Sequence, residues 1–212
     1  MKEIMIHDII KNRYSTRAFS EKTIGKERIL SLFEAARWSP SSRNEQPWRF
    51  IAATKEDQAT FNKIAGILNP TNLMWASKAP LLILTIAKLN INSTDQINRH
   101  AYHDLGLAIA NLTFQASSFD LYVHQIGGFD QQKAREKFKI PANYDPVTVL
   151  AVGYKGNLEL LPENLRIREL SERKRKDLSD IVFSEKFGKT TNLIDNKKLE
   201  LIINENNYTQ SR

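Results

Sequence analysis

The sequence predicts an α+β fold, and two features of its patterning carry that expectation. Four short apolar runs, residues 48–54, 79–86, 121–126 and 145–154, begin or end at Pro, Gly or Asp, as strands do. Three longer segments, residues 26–37, 56–68 and 99–120, repeat apolar side chains at helical spacing. With 212 residues the chain can bury one sizeable core.

Taken in order, Ile4, Ile6, Ile9 and Ile10 suggest a first helix reaching about Asn12. Ser20 or Thr23 can cap the next helix, whose buried face is Ile29, Leu32, Phe33 and Ala36. Pro40 and Pro47 then fix φ and lack an N–H, so residues 38–47 form a shaped loop before the first strand. The helix over 56–68 carries Phe61, Ile64, Ala65 and Leu68 on one face, and residues 69–72 break it. Leu73, Met74 and Trp75 read as core or as a pocket wall. The run from Ala79 is continuously apolar, as in a buried strand, and residues 88–98 are polar and loop-like. The segment 99–120 is apolar or small nearly all round, which marks a central, buried helix. Asn111 and Gln115 on it need polar partners, expected in neighbouring strands or a second chain. The next strand ends at Gly127 and Gly128, which permit positive φ or close backbone approach, and Asp130 caps a helix over 131–138.

Composition excludes several classes. Apolar residues make up 41% and charged residues 26%, as in an ordinary globular protein. The longest apolar run, 79–87, is far below the roughly 20 residues that span a bilayer. The N-terminus mixes charges and has no apolar leader, so the cytoplasm is the expected compartment. The absence of Cys excludes disulfides, thiol nucleophiles and thiolate metal sites. His100 and His103 share a helical face without further ligands, so no metal is expected. The pattern contains no internal repeat, GxGxxG, P-loop or HExxH. Net charge is +7, and residues 166–176 hold six basic against two acidic side chains, which attracts phosphate in some form.

Three stretches carry candidate site residues. In the loop, Pro40, Ser41, Ser42, Asn44 and Gln46 combine a fixed backbone with hydroxyls and amides. Amides pair donor and acceptor, as the edge of a planar heterocycle requires, although a turn with a helix cap uses the same residues. Arg13, Tyr14, Ser15 and Arg17 place two guanidinium forks around hydroxyls, a phosphate-compatible pattern that also suits a solvated surface. Arg173 and Arg175 lie in the late basic cluster.

The loop Ser39-Pro40-Ser41-Ser42-x-Asn44-x-Gln46-Pro47-Trp48-x-Phe50 resembles the signature loop of the FMN-dependent nitroreductase family. Arg13-x-Ser15-x-Arg17-x-Phe19, Ile126-Gly127-Gly128-Phe129-Asp130 and Arg173-x-Arg175-Lys176-x-Leu178 resemble further family segments in the same order. The resemblance covers about residues 4–188, a single FMN-binding domain. Residues 189–212 form a C-terminal extension whose apolar patch, 199–203, suits either wrapping of a partner or fraying.

That resemblance implies a nitroreductase-like fold: a mostly antiparallel sheet packed by helices, with helix 99–120 central. It implies a homodimer with FMN sites at the interface. Arg13, Ser15, Arg17, Arg173 and Arg175 would bind the phosphate and ribityl end, with Tyr14 adjacent. Ser41, Ser42 and Asn44, from the partner chain, would meet the ring edge, with Pro40 shaping the loop and Gln46 a further candidate. Gly127 and Gly128 would lie near flavin N5; glycine stands at 127 where several subfamilies carry Glu, leaving a backbone role. The implied chemistry is ping-pong transfer from NAD(P)H through FMN to a nitroaromatic, quinone or related small acceptor. No side chain stands out as acid or base, and no membrane partner is implied. Two alternatives remain: a flavin-binding member without turnover, and a nucleic-acid or anionic-surface binder suggested by the basic cluster. The cluster lacks interleaved aromatics for base stacking.

Overall fold

The computed structural model describes residues 4–194. The apolar patch at 199–203 lies outside the described residues. By its contacts the chain divides after Glu169 into two compact units. Seven helices and four strands follow in order: α1 (Asp8–Asn12), α2 (Lys26–Arg37), β1 (Trp48–Thr54), α3 (Gln58–Ala65), α4 (Pro70–Ala76), β2 (Leu81–Lys88), α5 (Ala101–Ser117), β3 (Leu121–Ile126), α6 (Gln131–Phe138), β4 (Tyr144–Tyr154) and α7 (Glu163–Leu170). These are the α-helices and sheet strands among the described residues.

The strands form one sheet in the order β1-β2-β4-β3, and every neighbouring pair is antiparallel. β2 sits inside the sheet with seven consecutive residues, Leu81 to Ala87, buried. Its alternating side chains feed two cores. Leu82, Leu84 and Ile86 join Phe61 and Ile64 of α3, Trp75 of α4 and Ala134 of α6. Leu81, Ile83 and Ala87 join Leu32 and Ala36 of α2 and Leu105, Ile109 and Leu112 of α5. The sheet is therefore covered on both faces, with α5 on the second.

Pro146 lies within β4, where it has no N–H for the ladder. The β2–β4 register shifts there, between Thr85 and Ile86. Thr85, fully buried, repairs the gap with its side chain. Its Oγ1 accepts from Thr148 N at 3.1 Å and lies 3.0 Å from the Thr148 carbonyl oxygen.

All four expected strands and α2 form, and Asp130 caps α6 by accepting from Lys133 N. The differences have local causes. The first helix starts only at Asp8, because His7 caps it by accepting from Ile9 N; Ile4 and Ile6 stay outside and exposed. α2 begins after Gly25 with no side-chain cap, while Ser20 Oγ instead accepts from Lys22 N. Residues 69–72 break α3 but also start α4, with Asn69 as N-cap and Pro70 in the first turn. Trp75 goes to the core, whereas Met74 stays exposed.

Because Leu84 is wholly buried in the central strand, Leu84→Ala is expected to lower stability by about 2–5 kcal/mol. Urea denaturation measures it. A loss below about 1 kcal/mol would place the core elsewhere.

Candidate functional site

The loop after α2 is strained and pinned. Arg43, Asn44 and Gln46 have φ of 55°, 56° and 47°, in the left-handed region that costs non-glycine residues energy. Polar contacts hold it there. Asn111 of α5 donates to Ser39 Oγ at 2.8 Å, and Ser42 N donates to Asp104 Oδ2 of α5 at 3.0 Å. Gln46 N donates to Ser41 Oγ at 3.0 Å, and Gln46 Nε2 donates to Asn44 Oδ1 at 3.1 Å. Asn44 and Gln46 are thus held as an amide pair at the surface, with Pro40 exposed beside Ser41. Asn92 N also donates to the Glu45 carboxylate at 2.8 Å.

The early basic segment runs from the end of α1 to the end of β4. Ser20 N donates to Tyr154 O at 2.9 Å, and Gly156 N donates to Ala18 O at 2.8 Å. A Cβ at Gly156 would lie 2.5 Å from Phe19 backbone atoms, so this approach requires glycine. Arg13 Nη1 donates to Ser15 Oγ at 3.1 Å. Thr16 is fully buried, and its hydroxyl meets the Glu169 carboxylate of α7. Arg17 N donates to Glu169 Oε2 at 3.1 Å, and the Arg17 guanidinium lies 3.8 Å from the same oxygen. Tyr14 OH donates to the Glu169 carbonyl oxygen at 2.5 Å.

From the sheet side, His124 Nδ1–H donates to the Thr16 carbonyl oxygen at 2.9 Å, and its ring packs 4.4 Å from Trp75. Burial lowers the His124 pKa below the usual histidine range. The Thr16 carbonyl and the Glu169 charge oppose that shift, and the Arg17 charge adds to it. A core role fits this imidazole, held between Trp75 and the Thr16 carbonyl.

Gly127 and Gly128 close β3. Neither takes positive φ; of the two uses the sequence allowed, close backbone approach is the one found at Gly128. The reason at Gly128 is space: a Cβ would lie 2.5 Å from Asn69 Nδ2 and 2.7 Å from Asn72 Nδ2. Asn72 Nδ2 donates to Gly128 O at 3.1 Å, tying this turn to the α3–α4 junction. A Cβ on Gly127 would meet nothing within 4 Å, so the strand end presents bare, exposed backbone.

The basic segment lies beside the far end of α5. Arg13 and Tyr14 line a recess with Ser117, Asp120 and Leu121, whereas Ser42 is held at Asp104. Ser117 lies thirteen positions after Asp104, about 20 Å along the helix. One chain therefore sets the Ser42 end of its loop and its basic segment at different ends of α5. Arg173 and Arg175 belong to the second unit, in an exposed stretch without regular structure.

His103 Nδ1 pairs with Asp104 Oδ1 at 3.0 Å, and no metal-holding group of three His, Asp or Glu occurs among the described residues. Asn111 and Gln115 bond to Ser39 and Ser118 hydroxyls rather than to strand backbone. Sequence reasoning missed Asp104 and Glu169. Both are acids at buried helix positions, Glu169 four residues after buried Leu165. That pattern is the signal that could have found them.

The nitroreductase family model matches residues 10–154. A 15.4 kDa protein from the ask 5′ region of Mycolicibacterium smegmatis is 33% identical over 147 residues, covering 66% of this chain and 97% of that protein. The oxygen-insensitive NADPH nitroreductase of Helicobacter acinonychis is 25% identical, covering 79% of this chain and 90% of that enzyme. A crystal structure of an FMN-containing oxidoreductase superposes with a TM-score of 0.84 at 30% identity, covering 90% of this chain and 96% of that one.

Two measurements check the site's supports. Asp104→Ala leaves the Ser42 N–H without its acceptor, so stability should fall by about 1–3 kcal/mol and Ser42 amide exchange should quicken. Unchanged exchange would show that the loop is held otherwise. For His124, the unfolded chain takes up a proton below about pH 6.5, while the folded chain resists it. The unfolded state then binds more protons, so stability is fully present above that pH and falls as pH drops. His124→Phe, which keeps an aromatic ring against Trp75, should flatten this slope between about pH 7.5 and pH 5.5. An equal slope in both proteins would contradict the buried neutral imidazole.

Proposed function

We propose that this chain, which belongs to the nitroreductase family, is an FMN-dependent oxidoreductase. It takes electrons from NADH or NADPH and passes them to a nitroaromatic, quinone or related small acceptor. The observation that carries this reading is the pinned loop, whose strained backbone offers the Asn44–Gln46 amide pair at the surface. The FMN content of the structurally similar oxidoreductase and the NADPH dependence in the Helicobacter enzyme's name support it.

The residues present fit FMN. Arg13, Ser15 and Arg17 stand half-buried on a segment fixed from both sides, as a phosphate site needs. Arg173 and Arg175 would add cations to it. Ser41, Ser42 and Asn44, with Gln46, would hydrogen-bond the ring edge, and Pro40 shapes their loop. The open backbone at Gly127 would accept the flat ring near N5, with Gly128 holding the turn behind it against Asn69 and Asn72. Tyr14 is adjacent, with its hydroxyl committed to Glu169. FMN, when bound, supplies the redox chemistry, a ping-pong transfer between NAD(P)H and acceptor through N5. The chain's residues bind, orient and tune; no side chain is assigned as acid or base, so protons come from solvent.

The working form is a homodimer with FMN sites at its interface, built by residues 1–188 of each chain. The roughly 20 Å along α5 between Asp104, which anchors Ser42, and Ser117, which borders the recess at Arg13 and Tyr14, supports a loop contributed by the second chain. Exposed apolar residues support the interface: Ile4, Met5, Ile6 and Ile10 before and within α1, Leu30 on α2 and Trp38 just after it. Trp38 is held in its 75% exposed position by Glu34, which accepts from its Nε1 at 2.8 Å. The forked hydrogen bond from Arg37, then that from Trp38, lowers the Glu34 carboxyl to about 2. No helix among the described residues is long and apolar enough to cross a membrane. The cytoplasm is the proposed compartment, and nucleic acid is not a proposed partner.

Chromophore release and anaerobic titration test the function. The purified protein should be yellow, should release FMN on denaturation, and should bleach with NADH or NADPH. A colourless protein that takes up no added FMN would sink the reading. A flavin that neither donor bleaches would leave a binder without turnover. Arg173→Ala combined with Arg175→Ala should weaken FMN retention while the chain stays folded. Full occupancy in that variant would remove both residues from the site.

A further inference from the structure

We propose that Glu169 is a positioning residue that sets segment 13–17 in its phosphate-receiving conformation; this rests on the FMN reading above. A carboxylate that leaves water needs several partners to offset its lost hydration. The Glu169 side chain is only 1% exposed, and its partners all lie in one short stretch. Its carboxylate takes the Thr16 hydroxyl and the Arg17 backbone N–H, with the Arg17 guanidinium at 3.8 Å. Its own carbonyl oxygen takes the Tyr14 hydroxyl. One residue of α7 thereby engages positions 14, 16 and 17, on both sides of Ser15. His124 grips the Thr16 carbonyl from β3. Thr16 is consequently sealed in, while Arg13, Ser15 and Arg17 remain half-buried beside it.

An opposite role for Glu169 is an internal anion competing with phosphate for Arg17. The geometry weighs against it. The guanidinium contact of 3.8 Å is too long for a direct hydrogen bond, whereas the contacts from the Thr16 hydroxyl and the Arg17 backbone N–H are direct. The carboxylate is thus spent on the Thr16 hydroxyl and the Arg17 N–H, and the guanidinium keeps donors for a second anion. Its negative charge also offsets Arg17 before any phosphate arrives.

The experiment compares FMN with riboflavin, which lacks the phosphate, by fluorescence titration of apoprotein. In Glu169→Gln, FMN affinity should fall about tenfold or more, the scale of a lost charge-assisted hydrogen bond. Riboflavin affinity should stay within about twofold, because the ring contacts lie elsewhere. Thr16→Val should repeat the selective loss, and Thr16→Ser should restore wild-type binding; this pair carries the test if Glu169→Gln does not fold. Parallel loss of both flavins would mark a general structural role and overturn the proposal. So would unchanged FMN affinity, and so would tighter FMN binding, which would identify the internal competitor. Wild-type protein that binds neither flavin would overturn the FMN reading and this proposal with it. Failure confined to the variants would overturn only the role of Glu169.

Discussion

A strand buried on both faces is the constraint on which the first unit depends. Seven consecutive residues of β2 lie out of water, so neither face of the sheet can be left bare. One face takes α3, α4 and α6, and the other takes α2 and α5. The site follows from that arrangement. α5 is committed to the sheet through Leu105, Ile109 and Leu112, which makes it a rigid rail for polar anchors. Asp104 and Asn111 project from the rail to the loop after α2 and hold three left-handed residues in place. A loop of that conformation would relax without such anchors.

The second theme is the use of buried acids. Asp104 and Glu169 are both under 10% exposed, where a carboxylate without partners would be costly. Each is matched to backbone N–H groups, Ser42 N in one case and Arg17 N in the other. These contacts contribute shape more than net stability, since burying an ion offsets much of what its hydrogen bonds gain. The two acids sit at the two segments that sequence reasoning tied to the flavin, one under the amide loop and one under the basic stretch. Under the proposed function, the chain's costly polar contacts support the two segments that would meet the ligand.

Local signals in the sequence were read well. The strands, α2 and the Asp130 cap depend on periodicity and nearest neighbours, and the structure reproduces them. α4 was hidden because Asn69-Pro70 marks both the end of one helix and the start of the next. α7 was hidden because its basic residues drew attention to charge rather than to the Leu165–Glu169 face. The candidate loop was legible from its prolines and amides, but its left-handed residues were not. Arg43, Asn44 and Gln46 lie in a loop held by Ser41 from within and by Asp104 from 62 positions away, and no short window contains the second contact. The partners of Glu169 lie more than 150 positions away, a pairing that only the folded chain reveals.

The central claim is that basic segment and amide loop serve one flavin, supplied by two copies of the chain. The roughly 20 Å along α5 between Asp104, which anchors the loop, and Ser117, which borders the recess at Arg13 and Tyr14, supports this proposal of a shared site. A crystal structure of the FMN complex tests it most directly. The account predicts the phosphate on Arg13, Ser15 and Arg17 of one chain, the ring beside its Gly127, and the ring edge on Ser41, Ser42 and Asn44 of the other. A phosphate bound away from segment 13–17, or a flavin enclosed by a single chain, would contradict it.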